Sequence, residues 1–262
     1  MSQSEDVLAT LEGAQILGLF DWVGRTVYAR VFEDYEEEAG HTQTTVGMLA
    51  HGYLIDRLDR ATGCGRFKLP AGAPSEEGAH LVRAGISDEA FEAMPRLEPG
   101  VVVRSNCNGS AGWACGDIRW VLQSHEFGHI DRINWSQKSP TKQDIASQPF
   151  ADSSNTLFDY YAELGMEEPD AKFTGTTLVL AHAFNRQTGA YEMHLGRSRN
   201  SSPREGSPWY WRRLVASGGS DSLSATRVDW STGLPGTAAS IDVPDMPVRL
   251  RPTAASQITE KK

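Results

Sequence analysis

Cysteine is scarce in this chain, with only Cys64, Cys107 and Cys115 among 262 residues. Three irregularly spaced thiols cannot build a disulfide framework or a zinc ribbon, so free thiols are expected, with a Cys107–Cys115 pair as the competing arrangement. Basic charge is also in short supply. Lys and Arg number 25 against 34 Asp and Glu, giving a formal charge of −9 that removes nucleic acid as a default partner. No apolar run approaches the roughly 20 residues needed to cross a bilayer, so no membrane partner is expected. The opening MSQSEDVLATLEGAQILGLF lacks the basic stretch and apolar core of a secretory signal. Together these absences predict a cytoplasmic protein. A P-loop and a dinucleotide-binding fingerprint are missing as well, which leaves no phosphate-cradling loop to argue from.

What the chain does have is apolar mass and punctuation. Hydrophobic residues make up 39% of it, including seven Trp, seven Tyr and nine Phe. That is enough for a substantial core. With 25 Gly and 13 Pro, a mixed fold with many turns is expected rather than a simple helical bundle. Residues 25–32 read as extended, and residues 46–58 as an amphipathic helix ending near Gly63. The Pro/Gly-rich LPAGAPSEEG that follows suggests a boundary. Residues 87–94 fit a short helix and 101–104 a strand. Residues 176–184 and 190–196 form a candidate hairpin around NRQTG, with His182 and His194 as polar members of its strands. In PWYWRR, at residues 208–213, Trp209 and Trp211 are expected on one core-facing side of a strand, in preference to a base-stacking patch.

The densest chemistry lies in IRWVLQSHEFGHIDRI, residues 118–133. Its apolar residues recur at helical spacing, and His125, Glu126 and His129 spell HEFGH. On a helix, His125 and His129 would share one face, directing two imidazoles to one metal with Glu126 beside them. Zinc suits such ligands, and Glu126 would take the proton of a zinc-bound water attacking a carbonyl. This segment resembles the zincin group of zinc-dependent metallopeptidases. It departs from the metzincin subgroup, whose third His and following Gly are missing from HEFGHIDRINW.

The resemblance implies an acidic third ligand from a later helix, for which ADSSNTLFDYYAELGM offers Glu163 first and Asp159 second. Asp144, in PTKQD, is the nearest candidate for the position used by the aspartate-ligand zincins. Tyr160 or Tyr161 would stabilise the developing oxyanion. The sequence therefore predicts an α+β fold with a zincin-like catalytic core, an active-site helix and an additional β-rich region. Its expected divisions are an N-terminal mixed region at 1–70, a catalytic region at 71–171 and a β-rich region with a short tail at 172–262. The expected function is Zn2+-dependent hydrolysis of a peptide or protein substrate. Two alternatives stand beside it: a metal-dependent small-amide hydrolase or tailoring enzyme, and a noncatalytic protein-interaction domain that retains HEFGH.

Overall fold

The computed structural model describes residues 3–68, 75–148, 173–201 and 206–219. Among these residues, six α-helices and one six-stranded sheet make a mixed α+β architecture. The helices are α1 (Gln3–Gly13), α2 (Ile16–Asp34), α3 (Gln43–Thr62), α4 (Ser75–Arg83), α5 (Asp88–Glu92) and α6 (Pro140–Ala146). The strands are β1 (Val103–Arg104), β2 (Gly112–Cys115), β3 (Ile118–Ser124), β4 (Thr176–Phe184), β5 (Tyr191–Ser198) and β6 (Trp209–Gly218). Strand order follows chain order. Neighbours are antiparallel except β3 and β4, which run parallel, so the described residues 125–148 that follow β3 belong to a crossover connection.

Helix α2 covers one face of the sheet. Val23, Val27, Tyr28 and Val31 recur at helical spacing and are fully buried, each such side chain contributing about 1.5–3 kcal/mol of burial. This corrects the extended reading of residues 25–32. Their β-branched and aromatic content mimics a strand, but docking of the period-3.6 face on the sheet outweighs local propensity. Close approach is possible because Gly24 has no side chain: a Cβ there would lie 2.8 Å from the Tyr191 ring and 2.9 Å from Met193 Sδ. Tyr28 stacks on Phe184 and Tyr191 at centroid distances of 5.3 and 5.0 Å. Helix α3 packs beside α2, capped at its start by Thr42 and ended by Gly63 in the left-handed region, as the 46–58 pattern anticipated.

The opposite face of the sheet carries a second apolar cluster. Val121, Val179 and Ala181 meet Ile130, Ile133, Trp135, Ile145 and Trp209, which come from the crossover and β6. Trp135 and Trp209 pack edge to face at 5.2 Å, and their indole N–H groups donate to the carbonyls of Pro208 and Ile130. Trp211 instead packs toward the α2 side. The register shift at Arg197/Ser198 separates the two tryptophans, so the expectation that they share one side fails at a β-bulge.

Candidate functional site

HEFGH lies on the second sheet face, and it is not helical. Residues 118–124 form β3, a central strand with neighbours on both sides and burial on both faces. Such a strand reads as a nearly continuous apolar run, which is why its spacing was compatible with a helix. His125 N–H extends the β3–β4 ladder by donating to the His182 carbonyl at 3.0 Å. The chain then reverses: His129 N–H donates to the Glu126 carbonyl at 2.9 Å, and Gly128 takes φ +74° within that turn. A glycine fits there because a side chain in the left-handed region is strained.

The turn is fastened by Glu192, a residue outside the motif. Glu192 Oε1 accepts from His125 Nε2 at 3.0 Å and from Gly128 N–H at 2.8 Å. The His125 hydrogen bond, reinforced by the Gly128 N–H and opposed by burial, holds the Glu192 carboxyl down at about 2. An ionised carboxylate only accepts, so Nε2 carries the His125 ring proton. His125 Nδ1 is buried and has no partner among the described residues. Nε2 is thereby committed to Glu192, and the lone pair left on Nδ1 is enclosed within the fold. His194 Nε2 lies 3.7 Å from Glu192 Oε2, beyond hydrogen-bond distance. Burial lowers the His194 pKa and outweighs the attraction of Glu192, so this imidazole stays neutral.

The other motif residues diverge from the expected ligand set. His129 Nδ1 sits 3.3 Å from Glu126 Oε1, without hydrogen-bond geometry, and both side chains are substantially exposed. Asp144 is exposed on α6. Asp159, Tyr160, Tyr161 and Glu163 lie outside the described residues. Among the described residues, no group of three His, Cys, Asp or Glu side chains is arranged to hold a metal ion. The expected active-site helix, the zincin resemblance and the Zn2+-dependent peptidase or hydrolase that followed from them are thereby corrected. HEFGH supplies the letters of the motif without the helical placement that gives them their chemistry.

The sheet's other face holds a separate buried polar contact. Tyr28 Oη and His182 Nδ1 are 2.8 Å apart, and His182 Nε2 has no partner among the described residues. Burial pushes the His182 pKa well down and the Tyr28 pKa well up, so both remain neutral. His182 and His194 thus occupy opposite faces of adjacent strands. All three cysteines are free, as their number and spacing suggested.

A cavity of about 1390 Å³ opens between α2 and α3, bordered by residues 84–93. At its inner corner Asp56 accepts from Arg57 Nη1 at 2.6 Å, from Arg60 Nη2 at 3.0 Å and from Arg66. Burial opposes ionisation of Asp56, but Arg60 and then Arg66 and Arg57 outweigh it and keep its carboxyl below the usual range. The sequence reading passed over this corner. Its signal was DRLDRAT, in which Asp56 and Arg60 stand four apart and Arg57 directly follows the aspartate. Glu192 was missed for a different reason: YEMHLG reads as a strand, and nothing in it announces a partner 67 residues away.

Comparison with protein-family models, curated proteins and solved structures finds no match. Among the described residues, no helix is long and apolar enough to cross a membrane.

Proposed function

We propose that this chain is a noncatalytic protein-interaction domain in which HEFGH serves as a structural turn. The observation that supports it is the Glu192 clamp. One carboxylate oxygen accepts from both the His125 ring N–H and the Gly128 amide N–H, holding the His125 side chain inside the fold. A general base needs an accessible carboxylate next to a bound water or an acidic proton. Here the half-buried Glu192 carboxylate is committed to the fold, and exposed Glu126 has only the His129 side chain as an ionisable neighbour among the described residues. The reading places the protein in the cytoplasm, where its three free thiols stay reduced.

The test is a paired measurement on the full chain, following peptide turnover by mass spectrometry and stability by chemical denaturation. Glu126→Gln is expected to leave both unchanged, because the exposed Glu126 side chain makes no hydrogen bond among the described residues. His125→Asn is expected to lower stability. Zinc-dependent peptide cleavage that disappears in Glu126→Gln would overturn the proposal.

A further inference from the structure

The inner corner of the α2–α3 cavity has more positive charge than the protein uses to balance it. Three guanidinium groups converge on the single Asp56 carboxylate. The nearby Asp59 does not make up the difference, since its Oδ1 accepts from Arg104 at 2.8 Å and from the Trp113 indole at 2.9 Å. Arg60 is accounted for structurally. Beyond Asp56, its Nη1 donates to the carbonyls of Leu81, Val82 and Ala84, tying α3 to the end of α4.

Arg57 and Arg66 are not so fully engaged. Arg57 lines the cavity and is only 6% exposed, yet its Nε has no hydrogen-bond partner among the described residues. A buried guanidinium N–H without a partner is costly, so Arg57 holds unspent hydrogen-bonding capacity in the cavity wall. Arg66 stands at the mouth with 70% of its side chain exposed. The Phe67 ring carries both the Arg60 and Arg66 guanidiniums, at 4.5 and 4.8 Å from its centre.

Apolar contact is available beside this charge. Met48 lines the cavity and is 52% exposed, one of few large apolar side chains left in solvent among the described residues. Gly52, one turn further along α3, leaves open space where a side chain would project. A small inorganic anion would engage the arginines and leave the methionine and this open space unused.

We propose that the α2–α3 cavity docks an acidic segment of a partner protein, with one carboxylate on Arg57 and Arg66 and an adjacent apolar side chain against Met48. This inference rests on the interaction-domain reading and adds to it the surface and the partner's chemistry. The overall charge of −9 does not oppose it at contact distance, because screening over about 8–10 Å leaves the local guanidinium excess dominant. Asp56 then acts as an internal competitor for the same arginines.

The test uses the full chain and a fluorescently labelled peptide rich in Glu and Leu, followed by anisotropy. Arg66→Glu and Gly52→Phe are each expected to weaken binding about tenfold, the first by reversing a charge at the mouth and the second by filling the open space. Asp56→Asn is expected to tighten binding severalfold, an outcome that simple loss of structure would not produce. Arg57→Gln is scored only if its melting curve shows a folded protein, and the exposed Arg66 and Gly52 positions keep the test decisive if it does not. The same peptide with Gln replacing Glu should bind at least tenfold more weakly.

Peptide binding that ignores all these substitutions would overturn the docking site while leaving the interaction reading intact. Displacement of the peptide by equimolar inorganic phosphate would also overturn it, by showing a small-anion site. Absence of binding to both the unaltered protein and Asp56→Asn would do the same. Zinc-dependent cleavage of the probe would instead overturn the interaction reading itself.

Discussion

Glu192 is the residue on which the HEFGH turn depends, and its protonation state should be visible in stability. Its carboxyl is depressed in the folded protein, from an ordinary 4.5 to about 2. The folded state thus binds its proton less readily than the unfolded chain. The resulting stabilisation is fully present above about pH 4.5 and is lost as pH falls toward about 2. Glu192→Gln should flatten that part of the pH–stability curve and cost about 1.5–3 kcal/mol at neutral pH, read by urea denaturation. Tyr28→Phe tests the other polar contact. It leaves His182 with no partner from Tyr28 in a buried setting and should cost about 1–3 kcal/mol in the same assay.

At the scale of elements, the decisive event is the change from strand to turn at Ser124/His125. Gly128 makes that turn possible, and Gly128→Ala should cost about 1–2 kcal/mol, because the added Cβ is disfavoured at φ +74° even with open space around it. Had HEFGH been helical, the same substitution would have been stabilising by about 0.5–1 kcal/mol, so the sign of the effect separates the two structures. Much of the surrounding fold was legible in sequence. The helix ending at Gly63, the short helix following Ser87 and the two strands flanking NRQTG all carry local signals that the structure follows. The failures share a cause. Residues 25–32 and 118–124 are rich in apolar, β-branched and aromatic side chains, and their conformation is decided by what they dock against, which only tertiary packing supplies. The Glu192 clamp was illegible because it joins positions far apart in sequence, whereas the arginine corner could have been suspected from charge spacing on one helix.

Over the whole molecule, the sheet separates two functions of buried polarity. Its α2-covered face is aromatic and tight, while its opposite face contains the clamped turn and the crossover residues Trp135 and Lys142, the latter donating to the Leu122 carbonyl at 2.6 Å. The helical layer depends on close approach at Gly24. Gly24→Val should push α2 from β5 and β6 and destabilise the fold by about 1–3 kcal/mol, with a lowered melting temperature as the readout. The α2–α3 cavity lies in that layer, whereas HEFGH lies on the far face of the sheet. Substitutions at the turn should therefore alter stability without altering peptide affinity, provided the variant remains folded.

The most direct measurement is long-range ¹H–¹⁵N NMR of the histidine rings in the full chain, before and after one equivalent of Zn2+. The clamped turn predicts that His125 keeps its proton on Nε2 and that its ring signals do not move when zinc is added. Loss of that proton with stoichiometric zinc binding at His125 and His129 would contradict the assignment of HEFGH as a structural turn.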